Sequence, residues 1–208
     1  MVLKHFIREV QKNEAYASEA YKTSGVSANA YMENVTSFSA SLISSLKGDT
    51  EKAAAAADRA MRDMSDNSNK FGTNIQDIQN AYQGFAKQNY TMLDNLKLGY
   101  GGTKEEMQRL LSDAQKLSGQ KYDISNLADV YTAIGVIQDN LGITGTTAKE
   151  AASTFSGSFA SMKAAAQDFL GNVAIGGDVT GTLSNLLSTA STFLFDNAIP
   201  MAINIVSG

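Results

Sequence analysis

The chain has 208 residues, with 17 basic against 21 acidic side chains, a formal charge of -4, no cysteine, one histidine and one proline. Disulfide frameworks, thiolate zinc sites, cysteine nucleophiles and histidine metal clusters are thereby excluded, and with no basic block to follow a phosphate backbone no sequence-specific nucleic-acid binding is expected. The chain is long enough to bury a sizeable core, and its plentiful Ala, Ser, Gln and Asn with few β-branched runs favour helices nearly throughout.

Phe6, Val10, Tyr16, Ala17, Ala20 and Tyr21 keep roughly helical spacing, which predicts a first helix from Leu3 to about Lys22. This segment is charged and amphipathic and lacks the unbroken apolar stretch of a secretory signal, so export by that route is not expected. Gly25 suits a helix C-terminus and Ser27 the next N-cap. Tyr31, Val35, Phe38, Leu42 and Leu46 then share one stripe, and Gly48 stops this second helix.

Asp49 or Thr50 caps a third helix, whose "EKAAAAADRAMRDM" aligns Ala53, Ala57, Met61 and Met64 along one side. The polar run "SDNSN", Ser65 to Asn69, is expected to break the chain. Phe71, Ile75, Ile78, Tyr82 and Phe85 should then carry a fourth helix in spite of Gly72 and Gly84. "NYTMLDNLKLGYGG" fits no sustained helix and reads as a connector or a small extended element.

Thr103 with Glu106 makes a capping-box pattern for a fifth helix running to Gly119. Leu127, Val130, Tyr131, Ile134, Ile137 and Leu141 form the clearest amphipathic stripe, a sixth helix capped by Asp123 or Ser125 and ended by Gly142.

The glycine- and threonine-rich "GITGTTAKEA", Gly142 to Ala151, raises the question of a phosphate-binding loop. A Walker-type loop needs a strand before it and a lysine followed by Ser or Thr directly after the last glycine. Here a helix precedes, Lys149 lies four residues past Gly145, and Glu150 follows it. A joint between helices fits better, with Thr147 and Glu150 as a second capping box for a helix starting near Ala148. That helix is expected to continue through Phe155, Phe159, Met162, Ala166 and Phe169 at helical spacing.

From Ala151 to Gly208 the only charges are Lys163, Asp168, Asp178 and Asp196. The last stretch, "LLSTASTFLFDNAIPMAINIVSG", contains Asp196, Asn197, Asn204 and Pro200, which makes it a poor autonomous transmembrane segment. It reads either as a membrane-seeking or partner-burying element or as a buried terminal helix of a larger assembly.

The expected fold is therefore all-α: short antiparallel helices joined by Gly, Ser, Thr and Asn turns, with an apolar C-terminal helix. Its parts are a helical region over 1–98, a second over 99–182 that contains the "GITGTTAKEA" joint, and the apolar segment 183–208. No catalytic, cofactor-binding or metal-ligating residue emerges, and no cofactor is expected. Glu105 and Glu106 point to different helix faces and read as a solvated first turn, while Asp123 and Ser125 have no histidine partner.

Several stretches resemble a known family. "YGGTKEEMQRLLSDAQKL", "YDISNLADVYTAIGVIQDNLGITGTTAKEA" and "FSGSFASMKAAAQDFLGN" are similar to the tail tape measure proteins of phages and prophages, as are "TSGVSANAYMENVTSFSASLISSLKGDTEKAAAAADRAMRDMSDNSNKFG" and "IQNAYQGFAKQNYTMLDNLKLGYGG". The likeness covers nearly the whole chain, with the "GITGTTAKEA" region its most specific mark; Ala166 departs from a tryptophan frequent in the family.

The resemblance implies a structural protein of long-tailed phages whose length sets that of the tail tube. Such a protein lies in the tube lumen of the virion after assembly in the host cytoplasm. It associates with itself and with tail-tube and tail-tip proteins, and leaves ahead of the DNA at ejection. Family members are far longer, so the chain looks like a fragment, an excised domain or a truncated product. Even one unbroken helix of this length would span only roughly 310 Å, and the many breaks imply a segment folded back on itself. The alternative is a free-standing membrane-active helical protein derived from a prophage, meeting the host membrane through its C-terminal segment. Wall-cleaving enzyme modules occur in some family members, but nothing here resembles one.

Overall fold

The computed structural model describes residues 2, 4–6, 16 and 20–207; it is helical, with no strand among the described residues. Most of the expected first helix lies outside the described residues, of which Ala20–Thr23 (α1) is its last turn. There follow α2 (Ala28–Ser45), α3 (Thr50–Phe71), α4 (Ile75–Phe85), a 3-10 turn (Leu93–Leu96), α5 (Lys104–Ser118), α6 (Leu127–Asn140), α7 (Thr146–Ser153), α8 (Phe155–Ile175) and α9 (Val179–Ser191). The last helix continues from α9 through a π-helical stretch (Thr192–Ala198) into α10 (Ile199–Ser207).

Helix α3 is the central element, packed against α2, α4, α6 and α7. Ala53, Ala54, Ala57 and Ala60 are all buried on it beside Met61 and Met64, so small side chains let neighbouring backbones approach while the methionines fill the remaining gaps. The stripe of α2 meets it with Tyr31, Val35, Phe38 and Leu42. Beside it, and in contact with α2, α6 supplies Val130, Tyr131, Ile134 and Ile137.

Tyr131 anchors the aromatic centre. Its ring lies edge-on to Phe38 at 5.7 Å and tilted against Tyr82 at 5.0 Å, and its hydroxyl donates to the Tyr82 carbonyl at 2.8 Å. The connector is a turn whose Leu93, Leu96 and Leu98 are buried in the same core. That single cluster extends from Phe6 to Ile143.

Three helix boundaries differ from expectation. The "SDNSN" run does not break α3; Ser65, Asp66 and Asn67 are buried inside it. Polar groups survive there because each finds a tertiary partner: Ser65 Oγ donates to the Ser24 carbonyl at 2.8 Å and Asn67 Nδ2 to the Leu96 carbonyl at 2.9 Å. Consequently α3 runs on to Phe71 and ends at Gly72 in the left-handed region (φ 62°), and α4 begins only after the Asn74 cap.

The cap of α6 is Asn126, whose Oδ1 accepts from the Ala128 and Asp129 amides, and not Asp123 or Ser125. Asp123 shapes the turn before it, accepting from the Ser125 amide and hydroxyl at 2.8 Å each. Lastly, the helix expected to run from near Ala148 through Phe169 is two helices. Thr154, extended at φ -124° and ψ 152°, ends α7 and caps α8 by accepting from the Gly157 amide at 3.0 Å.

Asp49 and Thr103 cap their helices as the sequence indicates, accepting from the Lys52 and Glu106 amides. The return partner in the second case is displaced: the Glu106 carboxylate accepts from Gly101 N at 3.0 Å.

Candidate functional site

Two features stand out from the helical core: the joint at Gly145 and the apolar C-terminal hairpin.

At the joint, Gly145 adopts φ 85°, which turns the chain sharply from α6 into α7. No side chain of the loop caps α7. Instead the buried carboxylate of Asp66, on α3, accepts from Gly145 N at 2.7 Å through Oδ2 and from Thr147 N at 2.8 Å through Oδ1. The Thr147–Glu150 capping box is not formed: Thr147 Oγ1 is buried without a hydrogen bond, and the Glu150 carboxylate pairs with Asn69. A helix N-terminus with free amides is an anion site by construction, and here the chain's own carboxylate fills it. Lys149 is exposed.

Next to the joint on α3, Arg59 donates from Nε to Asp63 Oδ1 at 2.8 Å. Its Nη2 reaches Asp139 Oδ1 at 2.7 Å and the Gly135 carbonyl at 3.3 Å. Asp63 is 1% exposed and its Oδ2 has no hydrogen-bond partner. Burial therefore pushes its carboxyl up to about 7, against the opposing pull of the Arg59 guanidinium. A Cβ on Gly135 would stand 2.8 Å from that oxygen, so the glycine is what lets α6 approach.

The residues considered for acid–base chemistry are kept apart. Glu106 is ion-paired to Arg109 at 2.6 Å, and the hydrogen bonds from Arg109 and the Gly101 amide hold its carboxyl down at about 2, too acidic for a proton donor near neutrality. Glu105 is exposed on α5, and Asp123 is occupied by its own turn. Among the described residues no group of three metal-ligating side chains forms.

The hairpin of α8 with the helix from α9 to α10 is folded inside out. Its buried side chains include Ser158, Ser161, Asp168, Thr189 and Asn197, whereas Leu170 (64% exposed), Ile175 (81%), Leu187 (62%) and Phe195 (64%) face outward. Of the expected core stripe of α8, Phe159 is 47% exposed and Met162, Ala166 and Phe169 are half-buried, while the Phe155 side chain lies outside the described residues; the buried line runs through Ser158, Ser161, Ala165 and Asp168. The hairpin has apolar contacts of its own, separate from the main core: a small cluster of Ala164, Ala165 and Leu186, and the tilted ring pair of Phe159 and Phe193 at 5.4 Å.

Several buried polar groups serve their own helices. Thr189 Oγ1 donates to the Asn185 carbonyl at 3.0 Å, Ser158 Oγ to Thr154 at 2.7 Å, and Asn197 Nδ2 to Thr192 at 3.0 Å. The last bond lies in the π-helical stretch, just before Pro200, which has no amide to donate; widening the turn there accommodates the proline.

The helix Val179–Asn204 has 26 residues, long and apolar enough by composition to cross a membrane, with only 11% of its most apolar part buried. At 1.5 Å per residue it spans about 39 Å, against about 30 Å for a bilayer's hydrocarbon core. Between α7 and the hairpin lies a cleft of about 320 Å³ whose lining includes Ala148, Ala152, Ser158, Ser188 and Thr192.

No protein-family model, curated protein or solved structure matches the chain.

Proposed function

We propose that this chain is a non-enzymatic structural segment of a phage or prophage tail tape measure protein. It acts in tail assembly, length determination and genome ejection from the tail lumen, after assembly in the host cytoplasm. Its partners are further copies of itself and the tail-tube and tail-tip proteins.

The observation that carries the reading is the Asp66 tie. "GITGTTAKEA" is the stretch most similar to the family, and its amides are held by a carboxylate from "MRDMSDNSNKFG", another resembling stretch. The segment behaves as an architectural joint, which suits a structural protein and leaves no room for a bound phosphate. Breaks at Gly72, Gly119, Gly145 and Gly176 fold the chain back repeatedly, so this portion serves as a folded module and not as the extended ruler.

An in-frame deletion of 104–153 in the encoding phage or prophage tests the proposal. Loss of tails, or tails of aberrant length, is expected; normal tails that eject DNA normally would overturn it.

The inside-out hairpin favours a second reading, a membrane-active role. Outward apolar side chains, with inward Ser158, Thr189 and Asn197 each bonded to a carbonyl a turn earlier, are the arrangement a hydrocarbon solvent selects. Leakage of loaded vesicles by the intact chain, abolished by deleting 186–208, is the expected result. Absence of any lipid association would remove this reading.

A further inference from the structure

One irregularity aligns the apolar surface of the hairpin's second helix. In an unbroken α-helix, with about 3.6 residues per turn, Ile199 would stand roughly 160° round the axis from Leu183. The wider turns of the π-helical stretch Thr192–Ala198 advance less per residue and take most of that angle back. Leu183, Leu187, Leu194, Phe195 and Ile199 are accordingly all exposed, while Thr189 and Asn197 on the opposite side are buried. Asp196, a further quarter-turn round from Phe195, stands at the edge of this apolar line.

The inner side of the hairpin is committed to the body. Both α1 and α7 pack against α8, and the π-helical stretch reaches α7. The buried Asp168 carboxylate, on α8, accepts from the Ala28 amide of α2 at 2.8 Å. Along its length α8 packs on α9 and the π-helical stretch. The outward line is therefore what a docked hairpin offers to a partner. Its charges narrow the choice: the exposed ones on the hairpin are Lys163, Asp178 and Asp196, one base against two acids, which gives no attraction to an anionic surface.

We infer that the docked hairpin lays this line into the surface of a lipid bilayer of zwitterionic lipids, with the Val179–Asn204 helix in the plane of the membrane and not across it. The inference rests on the membrane reading above and adds its geometry and lipid class. With about 39 Å of helix across about 30 Å of hydrocarbon, Asp196, about 12 Å from Asn204, would lie below the headgroups. A crossing would also draw α8 and the body attached to it into the membrane. Lying flat, the helix buries its apolar line at the boundary of headgroups and acyl chains, keeps Asp196 at headgroup level and leaves Thr189 and Asn197 facing inward.

The test uses the whole chain, which has no cysteine. A nitrobenzoxadiazole label at Leu187→Cys should brighten on phosphatidylcholine vesicles. Labels at Val179→Cys and Asn204→Cys, the two ends of the helix, should both be bleached by dithionite added outside. An end protected from dithionite would overturn the in-plane geometry and leave the membrane reading standing. No brightening on any vesicle would bring down both, and oligomers in its place would give the face to a second copy.

Phosphatidylglycerol added to the vesicles should not tighten binding; a several-fold gain that high salt removes would overturn the lipid class. Spin labels at Lys104→Cys and Gln167→Cys read whether the hairpin stays docked. Their distance should be the same with and without vesicles, and a longer one on binding would overturn the docked arrangement. Replacing Leu187 and Phe195 together by Gln should lower vesicle binding about tenfold or more; an unchanged bound fraction would overturn the face.

Discussion

Asp66 and Gly145 meet 79 positions apart, carboxylate Oδ2 to amide N at 2.7 Å, and the bond converts a loop that looks like a phosphate cradle into a closed joint. Asp66→Ala leaves the Gly145 and Thr147 amides at the start of α7 without their acceptor. A loss of about 2–3 kcal/mol in urea unfolding is expected, with Asp66→Asn losing less because one acceptor oxygen remains. Equal stability of Asp66→Ala and the parent would show that the joint does not depend on this cap.

Gly135 is a packing contact. Its substitution by alanine drives a methyl group against Asp63 Oδ2 at 2.8 Å and Arg59 Nη2 at 3.2 Å. The α3–α6 pair must separate or the ion pair must shift, at a cost of about 1–3 kcal/mol. Thermal unfolding of Gly135→Ala checks this, and an unchanged midpoint would contradict it.

Asp63 gives stability a pH dependence of definite sign. Its folded carboxyl titrates near 7, above its ordinary value of 3.8, so between these limits the folded state binds more protons than the unfolded state. The contribution is fully present below the unfolded value and is lost as pH rises through 7. The chain should therefore resist urea better at pH 5.5 than at pH 8, and Asp63→Asn should flatten that slope. A parent protein whose stability rises from pH 5.5 to pH 8 would refute the assignment.

The hairpin governs association. Leu170, Leu187 and Phe195 are more than half exposed, and outward apolar surface of this kind drives self-association. The isolated chain is expected to run as oligomers in size-exclusion chromatography with light scattering, in spite of its net charge of -4. Replacing the three by Gln should shift it toward monomer without lowering the unfolding midpoint of the body. A parent that is already a dilute monomer would contradict this.

Where a residue's role was local, the sequence displayed it. The stripes of α2 and α6, the caps at Asp49 and Thr103, and the left-handed stops at Gly119 and Gly142 all follow from spacing and turn chemistry within a few positions. Roles set by distant partners were hidden. Ser65 to Asn69 looked like a break because their acceptors and donors, at Ser24, Leu96 and Gly145, lie 29 to 79 positions away. The Thr147–Glu150 pattern matches a capping box, but the Asp66 carboxylate takes the Thr147 amide that the box would give to Glu150. On α8 Phe159 keeps the helical spacing and yet lies largely exposed, since a helical stripe says which residues share a face and not which solvent that face meets. The inward run Ser158, Ser161, Ala165, Asp168 has the same spacing and was the available signal.

The most direct test of the central claim is peptide mass spectrometry on tails purified from the phage or induced prophage that encodes this chain, after protease has stripped their outer surface. The account predicts that peptides from α3 and α6 are recovered intact, protected inside the tube. Their absence from intact tails would contradict a tape measure role.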